Sequence, residues 1–339
     1  MNKSIFMRRA IPFLFVLFAG ISCTRFEADK YSFVQGFTQG TTYHITFLNR
    51  KQLDYSKKIQ NLLDSFANSL SIYDPKSIIG RINNNEDVKV DKMFTDVYNK
   101  AMEVSRASEG AFDITVGPLV NAWGFGILPK MKVDSAEIDS LRELVGYTKV
   151  KLVNGHIIKK YPGMRLDVNA LAPGYSVDLV CALLEKDGFR NYLVEIGGEV
   201  RGRGRNPQGE FWNVGIDRPI DGNSNPGDNL QAIVRLKNRS VASSGDYRKY
   251  YEENGMKYSH HIDPHTGYPA RQHILSATTM ADSCLTADAW GTAFMVMGLE
   301  KSKEVLKKHP ELNVYIVYSD EKGNFQVYAS PGFQKWIEE

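Results

Sequence analysis

The chain has 339 residues, 42% of them hydrophobic, and a formal net charge of +3 at pH 7. This length allows a large core, in one big domain or in two coupled ones. Because charges of both signs are mixed along the chain and nearly balance, the composition argues against nucleic acid as the main partner.

The first residues are predicted to be an export signal. A positive region precedes the short apolar run 10–19, which is too short to span a bilayer as a helix of the mature protein. Small residues then lead to Cys23, which indicates cleavage before that cysteine and its lipidation; an ordinary cleaved signal is the alternative. The expected divisions are a signal peptide over 1–22, a tether over 23–32 after the lipidated Cys23, and a folded domain over 33–339.

Beyond the tether, the pattern of apolar residues predicts short, interleaved strands and helices. The predicted strands cover 40–47, 150–158, 165–168, 191–196, 230–236, 276–280 and 314–318, and the predicted helices cover 59–70, 94–108, 135–145, 173–184 and 286–297. Ser135 and Thr286 are expected to cap two of these helices, whereas 71–83 and 219–229 are expected to be loops. This mixture favours an α+β fold over a doubly wound sheet.

The segment 108–126 combines glycines with aromatic and polar side chains. Glycines let a ligand approach the backbone closely, and Phe112 and Trp123 offer flat faces for stacking. Asp113 and Thr115 are expected to point to one side of a strand. A tight, glycine-rich turn in the core explains the same residues equally well, so the segment is either a ligand site or a structural turn.

Apart from Cys23, the chain has two cysteines, which is far too few for a disulfide scaffold. Cys181 and Cys284 could pair in an oxidising compartment. Because Cys181 lies in an apolar, helix-like run, a buried free thiol is the preferred interpretation.

Two turns offer backbone and hydroxyl groups to a phosphate. The sequence Gly197-Gly198-Glu199 follows a predicted strand, and Ser244-Gly245 lies in a second polar turn. Loops at strand ends often carry binding sites, and successive N–H groups can bind an anion. Each turn is also common in proteins without any ligand, so neither is specific by itself.

Asp288 and Thr292 lie four residues apart on a predicted helix, so their oxygens share a face. A carboxylate and a hydroxyl are hard ligands that suit Mg²⁺ beside a substrate phosphate. The alternative is purely structural, because the helix dipole alone favours an acidic residue in the first turn.

The histidines of the segment 259–267 do not predict a zinc site. His260, His261 and His265 lie in a stretch broken by proline and glycine, whereas two zinc-binding histidines on a helix need a continuous turn. The chain also lacks the phosphate-binding loop Gly-x-x-x-x-Gly-Lys, and Gly202-Arg-Gly204 does not complete a dinucleotide fingerprint.

Taken in order, the motifs resemble those of the FAD:protein FMN transferase family, the ApbE type. The matching pieces are Gly40-Thr41-Thr42-Tyr43, the segment 71–77 with Asn83, the segment 110–119, Trp123-Gly-Phe-Gly126, Leu166-Asp167 through Asp178, Glu195-Ile-Gly-Gly-Glu199, Ser244-Gly245, the segment 260–267, and Ala287-Asp288 through Thr292. They span nearly all of the mature chain. The resemblance implies an ApbE-like α+β fold, with mixed or antiparallel sheets, helices packed around them and two tightly coupled lobes.

The resemblance also implies a reaction. Such enzymes split FAD at its pyrophosphate, attach the FMN half by a phosphoester bond to a Ser or Thr of a target protein, and release AMP. Mg²⁺ neutralises charge on the phosphoryl group in transfer. The expected partners are FAD, as substrate, and a Ser/Thr acceptor site in exported or membrane redox proteins. Family members are often exported lipoproteins, so we expect a lipid anchor on the periplasmic side of the inner or outer membrane.

The resemblance assigns roles to individual residues. The implied Mg²⁺ ligands are the side chains of Asp288 and Thr292 and the backbone carbonyl of Ala170. His260 is the implied base for the acceptor hydroxyl, and Asp288 is catalytic with it. The implied FAD-binding residues are Thr41, Tyr73, Ser77, Phe112, Asp113, Thr115, Trp123, Asp178, Gly197, Gly198, Glu199, Ser244, Gly245, His260 and Ile262.

Three positions depart from the family pattern. Pro173 stands where the family usually has a lysine near the FAD phosphates, and Asn169 replaces a usual glycine. His261 occupies a position that is usually aliphatic, so the role of base is not transferred to it. Proline is acceptable in the first turn of a helix, so the departure at Pro173 bears on FAD affinity or turnover and leaves the fold unaffected.

Four hypotheses compete on this basis. The leading one is a flavin transferase. A second is a Mg²⁺-dependent FAD pyrophosphatase, in which water replaces the acceptor hydroxyl. The others are a non-catalytic periplasmic lipoprotein that binds FAD and a structural lipoprotein without a ligand. Asp288 and Thr292 argue against the last two, because a mere FAD binder needs no catalytic metal.

Overall fold

The computed structural model describes residues 30–132, 134–220, 227–246, 250–253, 256–270 and 273–338. The expected signal peptide, Cys23 and most of the tether lie outside these residues, as do 221–226 of the predicted loop 219–229. The first strand begins at Tyr31, earlier than the expected start of the domain at residue 33. Among the described residues, no helix combines the length and the apolar character that crossing a membrane requires.

A large antiparallel sheet organises the described part of the chain. The strands are β1 (Tyr31–Thr38), β2 (Thr41–Leu48), β3 (Val150–Val153), β4 (His156–Lys159), β5 (Tyr192–Ile196), β6 (Glu199–Arg203), β7 (Trp212–Asp217), β8 (Leu230–Leu236), β9 (Arg239–Gly245), β10 (Tyr250–Glu253), β11 (Met256–Ser259), β12 (Ile274–Ala281), β13 (Asn313–Ser319) and β14 (Phe325–Ala329). Eight strands form one sheet in the order β1-β2-β5-β6-β9-β12-β13-β14, and β3–β4, β7–β8 and β10–β11 pair separately. All of these strand pairs are antiparallel.

Helices pack around the sheet. They are α1 (Ser56–Leu70), α2 (Ile78–Asn83), α3 (Lys92–Ala107), α4 (Gly117–Ala122), α5 (Ser135–Arg142), α6 (Ala172–Lys186), α7 (Cys284–Met297), α8 (Leu299–Lys308) and α9 (Pro331–Gln334). An antiparallel sheet with helices against it is an α+β architecture. The predicted fold class is therefore confirmed.

Both faces of the central strands are buried. In β13, Val314 and Ile316 join the largest apolar cluster, which includes α3 and α7, whereas Tyr315 and Val317 join a second cluster with β6–β9. This alternation is the period of two expected for a strand. Helix α7 is buried on nearly all sides, so its position is set by packing from every direction.

Two predicted helix caps are wrong. Helix α5 is capped by Asp134, whose side chain accepts a hydrogen bond from the N–H of Glu137. Helix α7 is capped by Ser283, whose hydroxyl accepts from the N–H of Thr286. Asp134 and Ser135 are both good capping residues, as are Ser283 and Thr286, and the backbone conformation decides which residue of each pair is the cap. Pro173 lies in the first turn of α6, as predicted.

Three other local predictions also differ from the structure. The predicted loop 71–83 contains α2. The predicted strand 150–158 is a hairpin that turns at Asn154-Gly155, with positive φ at both residues. The predicted strand 165–168 makes only an isolated bridge, from Arg165 to Val116. The two cysteines of the described chain are buried free thiols, as the apolar surroundings of Cys181 indicate.

Candidate functional site

A cavity of about 800 Å³ opens where several loops meet the sheet and α7. Cavities of roughly 300–1,000 Å³ are typical of small-molecule and cofactor sites. Its walls come from the start of β2, the β5–β6 turn, the end of β9, one face of α7 and the segments 111–116, 167–170 and 260–264. The predicted site residues that line it are Thr41, Phe112, Asp113, Ala170, Gly197, Gly198, Glu199, Ser244, Gly245, His260, Ile262, Asp288 and Thr292.

Two hairpin turns form one edge of this cavity. The β1–β2 turn has positive φ at Gln39 and Gly40, and the β5–β6 turn has positive φ at Gly197 and Gly198. Two-residue hairpins favour this conformation, and glycine adopts it without strain. A Cβ added at Gly197 would lie 2.9 Å from Cγ2 of Thr41. The two turns can therefore pack side by side only because Gly197 has no side chain.

Helix α7 brings the predicted metal ligands to the cavity. Asp288 and Thr292 lie one helical turn apart, and both side chains and Ala170 line the cavity. Asp288 is buried, its Oδ2 accepts a hydrogen bond from the N–H of Gly174 at 2.8 Å, and Oδ1 has no hydrogen-bond donor in the described part of the chain. Burial raises the pKa of the Asp288 carboxyl to about 7, and the hydrogen bond from Gly174 opposes this shift.

This environment fits a cation. A buried carboxylate without a counter-charge is costly, and a bound cation would favour its ionised form and lower its pKa. The available donors at Asp288, Thr292 and Ala170 are oxygens, which are the ligands that Mg²⁺ prefers.

Helix α6 contributes to this site through Gly174. A Cβ at Gly174 would lie 2.4 Å from the carbonyl oxygen of Cys284 and 2.8 Å from Cβ of Asp288. The helices can approach this closely only because the residue is glycine, and the approach places the Gly174 N–H within reach of Asp288. Pro173, where the family usually has lysine, is the preceding residue; it is half-buried and does not line the cavity.

Asp178 fixes the first turn of α7. Its Oδ1 accepts from Nη1 of Arg201 at 2.6 Å and from the N–H of Cys284 at 3.1 Å, and its Oδ2 accepts from the N–H of Leu285 at 2.9 Å. The carboxylate therefore satisfies two of the N–H groups that a helix start leaves without intrahelical partners. Asp178 does not line the cavity, and its contacts are those of a residue that positions α7.

His260 and His261 follow β11, and both line the cavity. Nδ1 of His261 lies 2.6 Å from Oδ1 of Asp246, just beyond the end of β9. The centroids of the two imidazole rings are 4.0 Å apart, and Phe125 packs edge-on against His260 at 6.3 Å. His265 lies elsewhere, beside Gly110.

Asp113 and Thr115 form a hydrogen-bonded clamp. Asp113 accepts from the N–H and the hydroxyl of Thr115, both at 2.7 Å, and from the N–H of Tyr147 at 2.6 Å. Thr115 Oγ1 accepts from the N–H of Gly146 at 2.7 Å. Burial raises the pKa of the Asp113 carboxyl, and these hydrogen bonds oppose the shift. The two residues lie in a turn, so the expectation that they share one side of a strand is wrong.

The remaining predicted FAD-binding residues lie outside the cavity lining. Ser77 is buried and caps α2 through a hydrogen bond from the N–H of Gly80. Trp123 donates from Nε1 to the carbonyl of Gly267 at 2.8 Å. Tyr73 is 61% exposed, and its hydroxyl accepts from Nδ2 of Asn169 at 3.3 Å. Because Asn169 lines the cavity, Tyr73 lies next to its wall.

Sequence reasoning missed a polar pair in the cavity wall. His44 in β2 and Glu195 in β5 are paired residues on neighbouring strands, with Nδ1 of His44 2.6 Å from Oε2 of Glu195. Oε1 of Glu195 also accepts from the N–H of Gly198 at 2.8 Å. The signal was available in the alternation of β2, where Thr42 and His44 are polar between buried Tyr43 and Ile45.

Together, these features define a class of protein: an α+β fold with one large cavity, lined both by a buried carboxylate suited to a cation and by imidazoles, which is the arrangement of an enzyme site. The model of the ApbE family matches residues 39–316. The chain therefore belongs to the ApbE family, and the resemblance seen in the motifs is confirmed.

Named relatives are similar over most of their length. FAD:protein FMN transferases from Haemophilus influenzae and Vibrio cholerae are 34% and 35% identical, in each case over 90% of this chain and 91% or 92% of the relative. Solved structures of flavin transferase ApbE from Vibrio cholerae and flavinyl transferase ApbE from Pseudomonas stutzeri each match with a TM-score of 0.81 and 32% identity. They cover 91% of this chain and 99% and 97% of theirs.

Proposed function

We propose that this chain is a Mg²⁺-dependent FAD:protein FMN transferase. It splits FAD at the pyrophosphate, joins FMN by a phosphoester bond to a Ser or Thr of an exported or membrane redox protein, and releases AMP. The observation that carries this proposal is that Asp288, Thr292 and His260 line one cavity in a chain whose relatives are named FAD:protein FMN transferases.

The metal would be held by oxygens of Asp288, Thr292 and Ala170. The buried Asp288 carboxylate supports this assignment because it faces the cavity without a counter-charge in the described part of the chain. Bound Mg²⁺ supplies positive charge that neutralises the pyrophosphate oxygens during transfer.

His260 would take the proton of the acceptor hydroxyl, since an imidazole is a competent base near neutral pH. The hydroxyl oxygen attacks the phosphorus atom on the riboflavin side of FAD, and a new P–O bond to the acceptor forms. The P–O bond to the bridging oxygen breaks, and that oxygen leaves with AMP. His260 is assigned as the base because it lines the cavity and occupies the family position of that histidine, whereas the neighbouring His261 is hydrogen-bonded to Asp246.

The glycine-lined edge of the cavity would let part of FAD approach the backbone closely. At Gly197 and Gly198, no side chain separates the ligand from the backbone, and Ser244, near the end of β9, contributes a hydroxyl residue to another wall. The N–H groups of Gly197 and Gly198 donate to the carbonyl of Thr42 at 3.1 Å and to Oε1 of Glu195 at 2.8 Å, so what these glycines contribute is the close approach that the missing side chains allow. The aromatic rings of FAD could stack on Phe112, which lines the cavity.

We also propose that the protein acts outside the cytoplasm, on a lipid anchor at Cys23. The support is the N-terminal sequence, in which a positive region and a short apolar run precede Cys23. An acceptor in an exported or membrane redox protein is consistent with that location. Mass spectrometry of the purified N-terminus tests it, because lipidation predicts a diacylated or triacylated Cys23, whereas an unmodified residue after cleavage predicts an ordinary signal.

One experiment separates the competing activities. The protein is incubated with FAD and Mg²⁺, with and without a redox-protein domain that carries a flavin-acceptor Ser or Thr, while AMP release and acceptor mass are followed. Transfer predicts AMP in proportion to an acceptor mass increase of one FMN. AMP with free FMN and an unchanged acceptor would establish the pyrophosphatase instead, and bound but intact FAD would establish a binding protein.

A further inference from the structure

We propose that Asp246, His260 and His261 form a second metal site that binds a transition metal such as Zn²⁺. One potential ligand atom from each residue lies within 4.8 Å of the other two. Two imidazoles and one carboxylate are a ligand set found in zinc sites with an open coordination position. The set differs from the oxygens of Asp288, Thr292 and Ala170, which suit Mg²⁺.

Backbone hydrogen bonds hold the proposed ligands in position. The N–H of Asp246 donates to the carbonyl of Leu275 in β12 at 3.1 Å, and the N–H of Ala270 donates to the carbonyl of His261 at 2.8 Å. Residue 262 also forms a bridge to residue 269 across the same loop. The site therefore combines one sheet end and one closed loop, which explains why the spacing of the histidines along the sequence does not reveal it.

The geometry needs only a small adjustment to hold an ion. Ligand atoms about 2.0–2.2 Å from zinc in a tetrahedron lie roughly 3.3 Å from one another. Nδ1 of His261 is already 2.6 Å from Oδ1 of Asp246, so these two atoms would exchange their hydrogen bond for bonds to the ion and move apart by roughly 0.7 Å. Because His260 and His261 line the cavity, an ion can enter from it, and water can occupy the open position.

Other His–carboxylate pairs in the chain provide a contrast. His44 with Glu195 and His156 with Asp87 have the same 2.6 Å separation from Nδ1 to a carboxylate oxygen. In the described part of the chain, three potential ligands come together only at Asp246, His260 and His261. A pair that lacks the second imidazole therefore serves as an internal control for nonspecific metal binding.

A metal on His260 would stop that residue from acting as a base. The lone pair that accepts the acceptor's proton would be bonded to the ion, so zinc should inhibit transfer while the Mg²⁺ ligands are unchanged. This consequence rests on the proposed function, whereas binding of zinc to the cluster does not.

The first test measures binding without FAD. Zn²⁺ is titrated into the full-length protein with Mg²⁺ saturating, by isothermal calorimetry, and Co²⁺ is used as a spectroscopic probe of nitrogen ligation. We expect His261→Leu and Asp246→Asn each to weaken zinc binding at least about tenfold and to remove the visible Co²⁺ bands. His156→Gln, the matched control, should bind zinc as the wild type does.

Several results would overturn the proposal. Zinc binding that is equal in the wild type, His261→Leu and Asp246→Asn would show that the cluster is not the site. Binding that is lost in Asp288→Ala but retained in the cluster variants would place zinc at the Mg²⁺ ligands instead. Should His261→Leu fail to fold, as seen by circular dichroism, the partly exposed Asp246→Asn decides the question alone.

A second test asks whether zinc regulates the reaction. We expect micromolar-range additions of Zn²⁺ to suppress FMN transfer and a zinc-selective chelator to restore it with Mg²⁺ still present. Binding without this inhibition would overturn the regulatory consequence and leave the site itself established. A protein that binds zinc but never transfers FMN would contradict the proposed function while supporting the metal site.

Discussion

At the scale of single residues, Asp288 is a buried carboxyl group whose ionised form a bound metal ion would stabilise. Its burial among apolar residues of α7 disfavours the ionised carboxylate, and the one hydrogen bond from Gly174 opposes this only in part. An ion at the cavity wall would supply the missing counter-charge. The cost of burying the carboxylate is then offset when the cation binds.

Replacing Asp288 with Ala is expected to abolish AMP release from FAD while leaving the protein folded. Without the carboxylate, the phosphoryl group in transfer loses its metal and the charge neutralisation that it supplies. Mg²⁺ should also raise the melting temperature of the wild type, since a ligand that binds only the native state stabilises it, and should have no such effect on the variant. Full turnover in Asp288→Ala would refute the assignment of the metal ligand.

Replacing His260 with Ala should act on the chemical step. Loss of a general base typically lowers the rate by a factor of about 100 or more, so we expect that reduction in kcat for FMN transfer. FAD affinity, measured by quenching of flavin fluorescence, should change little. Equal losses in affinity and in kcat would instead make His260 a residue that positions the substrate.

At the scale of elements, α7 is the part that the rest of the molecule positions. It is buried along nearly its whole length, it begins at the Ser283 cap, and Asp178 and Gly174 of α6 contact its first turns. The location of Asp288 and Thr292 therefore depends on two residues outside the cavity lining: Gly174, which contacts Asp288 directly, and Asp178, which contacts the start of α7.

Replacing Asp178 with Ala should destabilise the protein and weaken Mg²⁺ binding together. The change leaves Arg201 and two N–H groups of α7 without their partner in a mostly buried setting, and breaking such a pair costs about 3–5 kcal/mol. Urea unfolding and Mg²⁺-dependent melting measure the two effects. Glu103→Ala is the control, because it removes an exposed ion pair with Lys100 that is worth about 0–1 kcal/mol. Similar losses in both variants would argue against a positioning role for Asp178.

The elements that could be predicted from sequence are those whose signals are local. Apolar spacing predicts α1, α3, α6 and α7, and alternation predicts β2, β5, β8 and β13. The six-residue α2 was missed because so short a helix depends on its Ser77 cap and on tertiary packing. The order β6-β9-β12 joins strands that are far apart along the chain, and nothing in local spacing encodes that pairing.

The site residues also separate into those with a local sequence signal and those that only the fold brings together. The resemblance to a family identified the cavity residues Thr41, His260, Asp288 and Thr292, all of which belong to short motifs. It could not show that the carboxylates of Asp113 and Asp178 are used by hydrogen bonds within the protein. Nor could it show that Asp246 meets His261, because that contact joins a strand end to a loop through the fold alone.

At the scale of the whole molecule, the burial of both sheet faces places ionisable groups deep in the core. Cys181 and Tyr192 lie in the apolar cluster with β2, β5, α1 and α6. Burial raises the pKa of both side chains, from ordinary values of 9.0 for the thiol and 10.0 for the phenol. Cys284 in the same cluster has its pKa raised for the same reason. All three groups stay neutral in the folded protein at pH values where the unfolded chain ionises.

The free energy of unfolding should therefore fall as pH rises above about 9. A group whose pKa is raised by folding contributes stability that is complete below its unfolded pKa and is lost as pH rises toward its folded pKa, because the unfolded state then releases the proton first. A group that is ionised in the unfolded chain and neutral in the folded protein lowers the free energy of unfolding by up to about 1.4 kcal/mol per pH unit. Urea unfolding between pH 8 and 10.5 at constant ionic strength measures this slope. Cys181→Ala should reduce the slope from pH 9 upward, and Tyr192→Phe should reduce it only from about pH 10. Unfolding free energies that stay level through pH 10.5, or variants with the wild-type slope, would show that the core admits water around these groups and does not hold them neutral.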